Sequence, residues 1–155
     1  MLSVTACATF QEATPKDYAG PTARIVDTMA FDHQQITLLF VVSEINGREI
    51  LSSINTTRVS SHGQGMIVKP TVIGRAVPAQ RLKLKLEGTQ YLAMPIVVMG
   101  AKAMGLFLEF EGVIEFVPEE NKTYLVKGDL KKGASSLWIE DEATGKVVGE
   151  KLIQK

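Results

Sequence analysis

From residue 22 onward the chain alternates apolar and polar side chains with a period of two, the repeat of a strand whose successive residues point to opposite faces. The clearest stretch is Arg81-Leu82-Lys83-Leu84-Lys85-Leu86, where three leucines share one parity and three cations the other. A slip of one residue would bury the cations, so the leucines are expected to face the core and the register is fixed. The cations suit an edge or a solvated face. Residues 22–28 form a short candidate strand. Residues 35–45 form a longer one, with Ile36, Leu38, Phe40 and Val42 on one face and Leu39 and Val41 on the other. Apolar residues on both faces predict a central strand covered on both sides. Asn46-Gly47 comes next, a pair that accommodates the two positive φ angles of a type I′ turn, and it predicts a hairpin returning through 48–51.

Residues 52–65 are rich in Ser, Thr, Asn and Gly and are expected to be a loop, followed by a short strand at 66–69 that Pro70 stops. Leu106, Leu108, Phe110, Ile114 and Phe116 share one parity and Glu109, Glu111 and Glu115 the other. Gly112 falls on the apolar parity, where it marks a bulge or close packing. Strands are then expected at 123–130, 136–141 and 146–150, so that 106–150 reads as a four-strand meander with short turns. The most apolar stretch, 92–110, is interrupted by Pro95, Lys102 and Glu109. It falls short of the about 20 apolar residues that cross a bilayer and reads as a buried segment. A short helical turn is open at 94–104, with Met94, Met99 and Met104 expected mainly as core filler. Seven or eight short strands with frequent turns predict an all-β fold: an antiparallel β-sandwich, or alternatively a small closed β-barrel.

A chain of 155 residues has room for one domain. Its 17 basic and 17 acidic residues cancel, so no long-range field draws nucleic acid or an anionic membrane surface, although local patches remain open. The single cysteine, Cys7, cannot form an intramolecular disulfide, and the fold must be held by its core. Val4-Thr5-Ala6-Cys7 resembles the end of a bacterial lipoprotein signal peptide. There, small residues fit the peptidase cleft and the thiol takes a thioether-linked diacylglycerol. Ala8 after the cysteine resembles the outer-membrane sorting choice. The stretch before Cys7 is shorter than the about 7–15 apolar residues of a secretory signal, so either the start lies upstream or the sequence has been trimmed. The expected organisation is a signal remnant at 1–7 ending at the lipidation residue Cys7, a polar flexible stalk at 8–21, and a sandwich domain at 22–155.

Phe116-Val117-Pro118-Glu119, the run from Lys122 to Gly128, Trp138-Ile139-Glu140-Asp141 and the opening Tyr18-Ala19-Gly20-Pro21-Thr22 are together similar to a family of uncharacterised proteobacterial lipoproteins. The resemblance implies a compact immunoglobulin-like or transthyretin-like sandwich facing the periplasm, and it carries no activity. Residues 118–126 also resemble a tyrosine corner, which predicts that Tyr124 is buried with its hydroxyl on the backbone of 118–122.

Chemistry-bearing constellations are sparse. His33 and His62 fall in expected loops with no Cys or His at ligand spacing, so no metal is expected. No serine or cysteine stands in a nucleophile elbow, and the adjacency of Ser60, Ser61 and His62 says nothing about triad geometry. Gly63-Gln64-Gly65 lacks the third glycine of a phosphate-binding loop. Glu109/Glu111 and Glu140/Glu142 lie two apart, a spacing that places both carboxylates on one strand face. Arg58, His62, Gln64 and Arg75 fall in or beside the longest irregular region and form the candidate binding loop. The expectation is a non-enzymatic cell-envelope lipoprotein without cofactor or nucleic-acid partner, anchored in the outer membrane through its lipid. It would face the periplasm and present loops or a strand edge to an envelope protein. The alternative is a small-molecule carrier or sensor, with a cavity of about 300 Å³ or more, lined by Met or aromatic side chains, between the sheets or under 52–65.

Overall fold

The computed structural model describes residues 9–32 and 34–155; Cys7 and His33 lie outside them. Ten strands and two helices follow in the order β1 (Thr22–Val26), β2 (Thr28–Phe31), β3 (Thr37–Ile45), β4 (Arg48–Glu49), α1 (Ser53–Ser61), β5 (Gly74–Pro78), β6 (Leu82–Tyr91), α2 (Pro95–Ala103), β7 (Glu109–Phe116), β8 (Thr123–Asp129), β9 (Ser136–Asp141) and β10 (Val147–Ile153). One sheet has the order β10-β9-β8-β1-β5 and the other β2-β3-β6-β7, with β4 paired to β3. Both sheets are open, and they pack face to face as a β-sandwich. All pairings are antiparallel except β1 with β8, which is parallel.

The period-two pattern decides which side chains fill the space between the sheets. Leu82, Leu84 and Leu86 are fully buried there with Phe40, Val42, Ile114 and Phe116, opposite Ile25, Tyr124, Val126, Leu137 and Ile139. Phe40 occupies space left by two glycines. A Cβ on Gly88, its cross-strand partner, would meet the ring at 3.1 Å, and one on Gly128 of the opposite sheet at 2.5 Å. Gly112 likewise marks close packing rather than a bulge, since a Cβ there would meet Leu152 at 2.8 Å and the β6–β7 register is continuous. The hairpin at Asn46-Gly47 has φ of 51° and 76°, as the type I′ turn requires.

The chain crosses between the sheets four times, from β1 to β2, from β4 through α1 to β5, from β5 to β6 and from β7 to β8. At Asp27 the chain passes from β1 into β2, and the Thr28 hydroxyl donates to the Val126 carbonyl of the facing sheet. At 117–122 it passes from β7 to β8. Here the buried Tyr124 hydroxyl accepts the Glu119 N–H at 2.9 Å, and the ring stands edge-on to Phe116 at 4.9 Å. This is the expected tyrosine corner. Because the corner turns the chain into the other sheet, the C-terminal meander has three strands, β8 to β10, and β7 pairs with β6 instead.

The region expected as a loop is the helix α1. Ser53, Thr57 and Ser61, spaced by four, are its buried residues. The Ser53 hydroxyl accepts the Ile73 N–H, that of Thr57 accepts the Thr71 N–H, and that of Ser61 accepts the Lys69 N–H. Thr56 donates to the Thr71 carbonyl. These hydroxyls satisfy the backbone of the extended segment 69–73, and no strand forms at 66–69. A stripe of hydroxyls carries no hydrophobic period, so pattern reading passes over it. The helix packs against β3, whose Leu39 and Val41 are both fully buried although they point away from the core between the sheets. The segment read as a stalk lies against the domain from Gln11, which bridges to Ile50. The Arg48 guanidinium donates to the Glu12 carbonyl, and Thr14 donates to that of Ala76.

Candidate functional site

The outer face of β6 and β7 forms the floor of a groove. Glu87, Thr89 and Tyr91 stand on β6, with Glu109 and Glu111 on β7. Glu87 and Glu111 are direct cross-strand partners, a like-charge pairing that would repel. Lys85 offsets it, reaching Glu111 at 3.4 Å and Glu87 and Glu44 each at 3.5 Å. Partial burial works against the charge on Lys85, but these carboxylates, Glu111 foremost, outweigh it and hold the ammonium above its ordinary pKa. Ser43 donates a further hydrogen bond to Glu87 at 2.9 Å.

One wall of the groove is α1 and the other α2. Together they enclose a cavity of about 850 Å³, lined on its apolar side by Ile54, Val98, Met99, Phe107 and Phe110. A second space of about 310 Å³ lies on the far side of α2, between Met66, Val68, Met94 and Val97. Pro95 at the start of α2 fits a position whose N–H has no helical partner. Gly105, at φ 68°, ends the helix, and the Leu106 N–H closes back on the Ala101 carbonyl at 2.8 Å. None of the nine residues of α2 is buried. Of the stretch expected to be buried, α2 and the methionines expected as core filler, Met94, Met99 and Met104, therefore lie at the surface, with Met99 70 % exposed, while Leu108 and Phe110 pack against the core. Leu106 is exposed as well, because β7 begins at Glu109. The turn after α2 is held by Lys102, 3.7 Å from Glu109 and 5.0 Å from the centre of the Phe107 ring. No helix among the described residues is long and apolar enough to cross a membrane.

Of the candidate loop residues, Arg58 and His62 come together on the rim of the large cavity. Neither side chain makes a hydrogen bond or ion pair among the described residues. His62 caps the C-terminus of α1. Gln64 sits in the following turn and is exposed. Arg75 turns inward from β5 and grips the fully buried Asp27 with both guanidinium nitrogens, at 2.8 and 2.7 Å. Asp27 also accepts the Val42 N–H at 3.1 Å, the Ser53 N–H at 2.9 Å and the Ser53 hydroxyl at 2.8 Å. This cluster fixes the start of α1 against both sheets. Ser60 pairs with Thr71 and Ser61 with Lys69, so neither engages His62. Glu109 and Glu111 do share one face, but Glu142 falls in a turn beyond β9, apart from Glu140. Among the described residues no three His, Cys, Asp or Glu side chains gather as metal ligands.

Sequence reading missed Lys102, Phe107 and the acidic floor as members of one site. The alternation of Glu109, Glu111 and Glu115 marked an outward face, and the apolar 92–108 between two strands was the remaining signal. The fold and groove define a β-sandwich with two surface helices arranged over one sheet. No protein family matches the chain, and no curated protein or solved structure matches it either.

Proposed function

We propose that this domain is a non-enzymatic binding module that holds a small, mostly apolar molecule in the groove between α1 and α2. The observation that carries the reading is a cavity of about 850 Å³, one of whose walls is a helix with no buried residue. That volume lies within the roughly 300–1,000 Å³ common to small-molecule sites. Val98, Met99 and Phe107 supply adaptable apolar contact, and the unpaired Arg58 and His62 stand where a polar end of the ligand would emerge. The proposed setting is the periplasmic side of the outer membrane, tethered through Cys7, for which the support is the Val4-Thr5-Ala6-Cys7 sequence. Presentation of a strand edge to an envelope protein has less to favour it. Of the four edge strands, β2 and β5 have four and five residues, β10 shifts register between Val148 and Leu152, and β7 lies against β10.

The test is titration with an uncharged naphthylamine fluorophore that brightens in apolar surroundings. Saturable one-to-one binding is expected, weakened at least tenfold by Val98→Trp, which fills the cavity, at unchanged thermal stability. Binding that never saturates, or that Val98→Trp leaves intact, would refute the reading.

A further inference from the structure

The neutral total charge conceals a strong segregation along the chain. Between Ile50 and Leu108 stand seven Lys or Arg residues and a single carboxylate, Glu87; the other 16 acidic residues lie outside this stretch. The same stretch supplies both helices and the segment between α1 and β5. Its exposed apolar side chains include Val59 at the end of α1, Met66 and Ile67 after it, Ile96 on α2 and Met104 just beyond it, the least of them 61 % exposed. Two spaces show that these parts adjoin. Met66 faces Met94 and Val97 across the smaller one, and Arg58 and His62 face Met99 and Lys102 across the larger one. Lys69, also exposed, is held at the end of α1 by its N–H bond to Ser61. One side of the molecule therefore combines a broad apolar patch with Arg58, Lys69, Lys102 and His62, while Glu87, Glu109 and Glu111 stand on the groove floor, where Lys85 and Lys102 pair with them.

We propose that this side of the domain docks on an anionic lipid surface, with α2 lying in the plane of the interface. Nine residues extend about 14 Å, too short to span a bilayer but enough to lie along one. Methionine and isoleucine side chains enter the boundary between headgroups and acyl chains, while the long stems of Lys69, Lys102 and Arg58 reach the lipid phosphates. The charge pattern selects this occupant: cations frame the patch, and the exposed Glu109 is already paired with Lys102. The contact is a property of the folded face and needs neither a modified Cys7 nor a filled groove. On this surface α2 lies between the bilayer and the cavity.

The experiment is co-sedimentation of the full chain, its Cys7 unmodified, with vesicles of phosphatidylglycerol and phosphatidylethanolamine and with vesicles of phosphatidylcholine alone. Binding to the anionic vesicles is expected, with at least tenfold weaker binding to the neutral ones and loss in roughly 0.5 M salt, since surface attraction is screened within a Debye length. Lys69→Gln is expected to weaken it about fivefold, the share of one cation near such a surface. Ile96→Ser combined with Met104→Ser is expected to weaken it at least tenfold. None of these three residues lines the large cavity, so fluorophore binding measured without lipid is unchanged in the variants, and the two proposals fail separately. Equal binding to both vesicle types, no binding to either, or indifference to these variants would overturn the inference. So would sedimentation velocity showing that the α2 patch is consumed in a stable dimer.

Discussion

Asp27→Ala would remove the buried carboxylate that joins β1, β3, β5 and the start of α1. The carboxylate accepts two backbone N–H groups, one hydroxyl and the two-pronged guanidinium of Arg75, whose side chain is 9 % exposed. Removing one partner of a buried ion pair costs about 3–5 kcal/mol, because the survivor is left charged and desolvated. The stranded Val42 and Ser53 amides would add about 1–3 kcal/mol each if they stayed dry, but alanine leaves room for water to reach them. The losses share one site and do not add. A total of about 4 kcal/mol follows, a large part of the roughly 5–15 kcal/mol that stabilises a domain. At about 2–4 °C per kcal/mol for a chain of this size, the melting temperature falls by about 8–16 °C. Urea unfolding and thermal melts followed by circular dichroism measure both quantities. Asp27→Leu combined with Arg75→Met, which removes both charges and keeps the volume, is expected to cost less than Asp27→Ala alone. A single-variant loss below about 1 kcal/mol, or strict additivity of the two sites, would refute the account of this cluster.

Tyr124→Phe leaves the ring against Phe116 but takes the acceptor from the Glu119 N–H. A loss of about 1 kcal/mol is expected in urea titration, and no measurable change would show that the corner is held by the ring alone. Gly128→Ala drives a methyl to within 2.5 Å of the Phe40 ring and is expected to cost about 1–3 kcal/mol of overpacking; Phe40→Leu in the same chain should recover part of it, and failure to do so would place the clash elsewhere. Lys85 has its folded-state pKa raised by its carboxylate partners. Its stabilising contribution is therefore complete below the unfolded pKa of about 10.4 and is lost as pH rises through the folded value. The stability gap between the native chain and Lys85→Met should accordingly be constant from pH 7 to 9 and shrink at strongly alkaline pH. A gap independent of pH would refute the assignment.

Much of the sandwich was legible in the sequence because its cause is local. In 81–86 the alternation of leucine and cation dictates which face is buried, whatever the neighbouring strand. Asn46-Gly47 dictates a turn through its own backbone freedom, and Tyr124 reaches a backbone five residues away. What sequence could not supply was the choice of neighbours. Residues 106–116 have the pattern of a strand in either sheet, and their pairing with β6 rather than β8 was settled by where the chain turns at the tyrosine corner. Residues 53–61 are weak helix formers, and they become α1 because Asp27 and the backbone of 69–73 meet their hydroxyls. Residues 92–110 read as a buried segment by their apolarity, yet the space between the sheets is already filled by Leu82, Leu84, Leu86 and Phe40, so α2 stays outside. Period and turn chemistry thus set the strands, the tight hairpin and the inward faces, since these depend on residues adjacent in the chain. The groove, its acidic floor and its exposed helix came from tertiary structure, because burial and pairing of polar and apolar groups depend on partners far away in sequence.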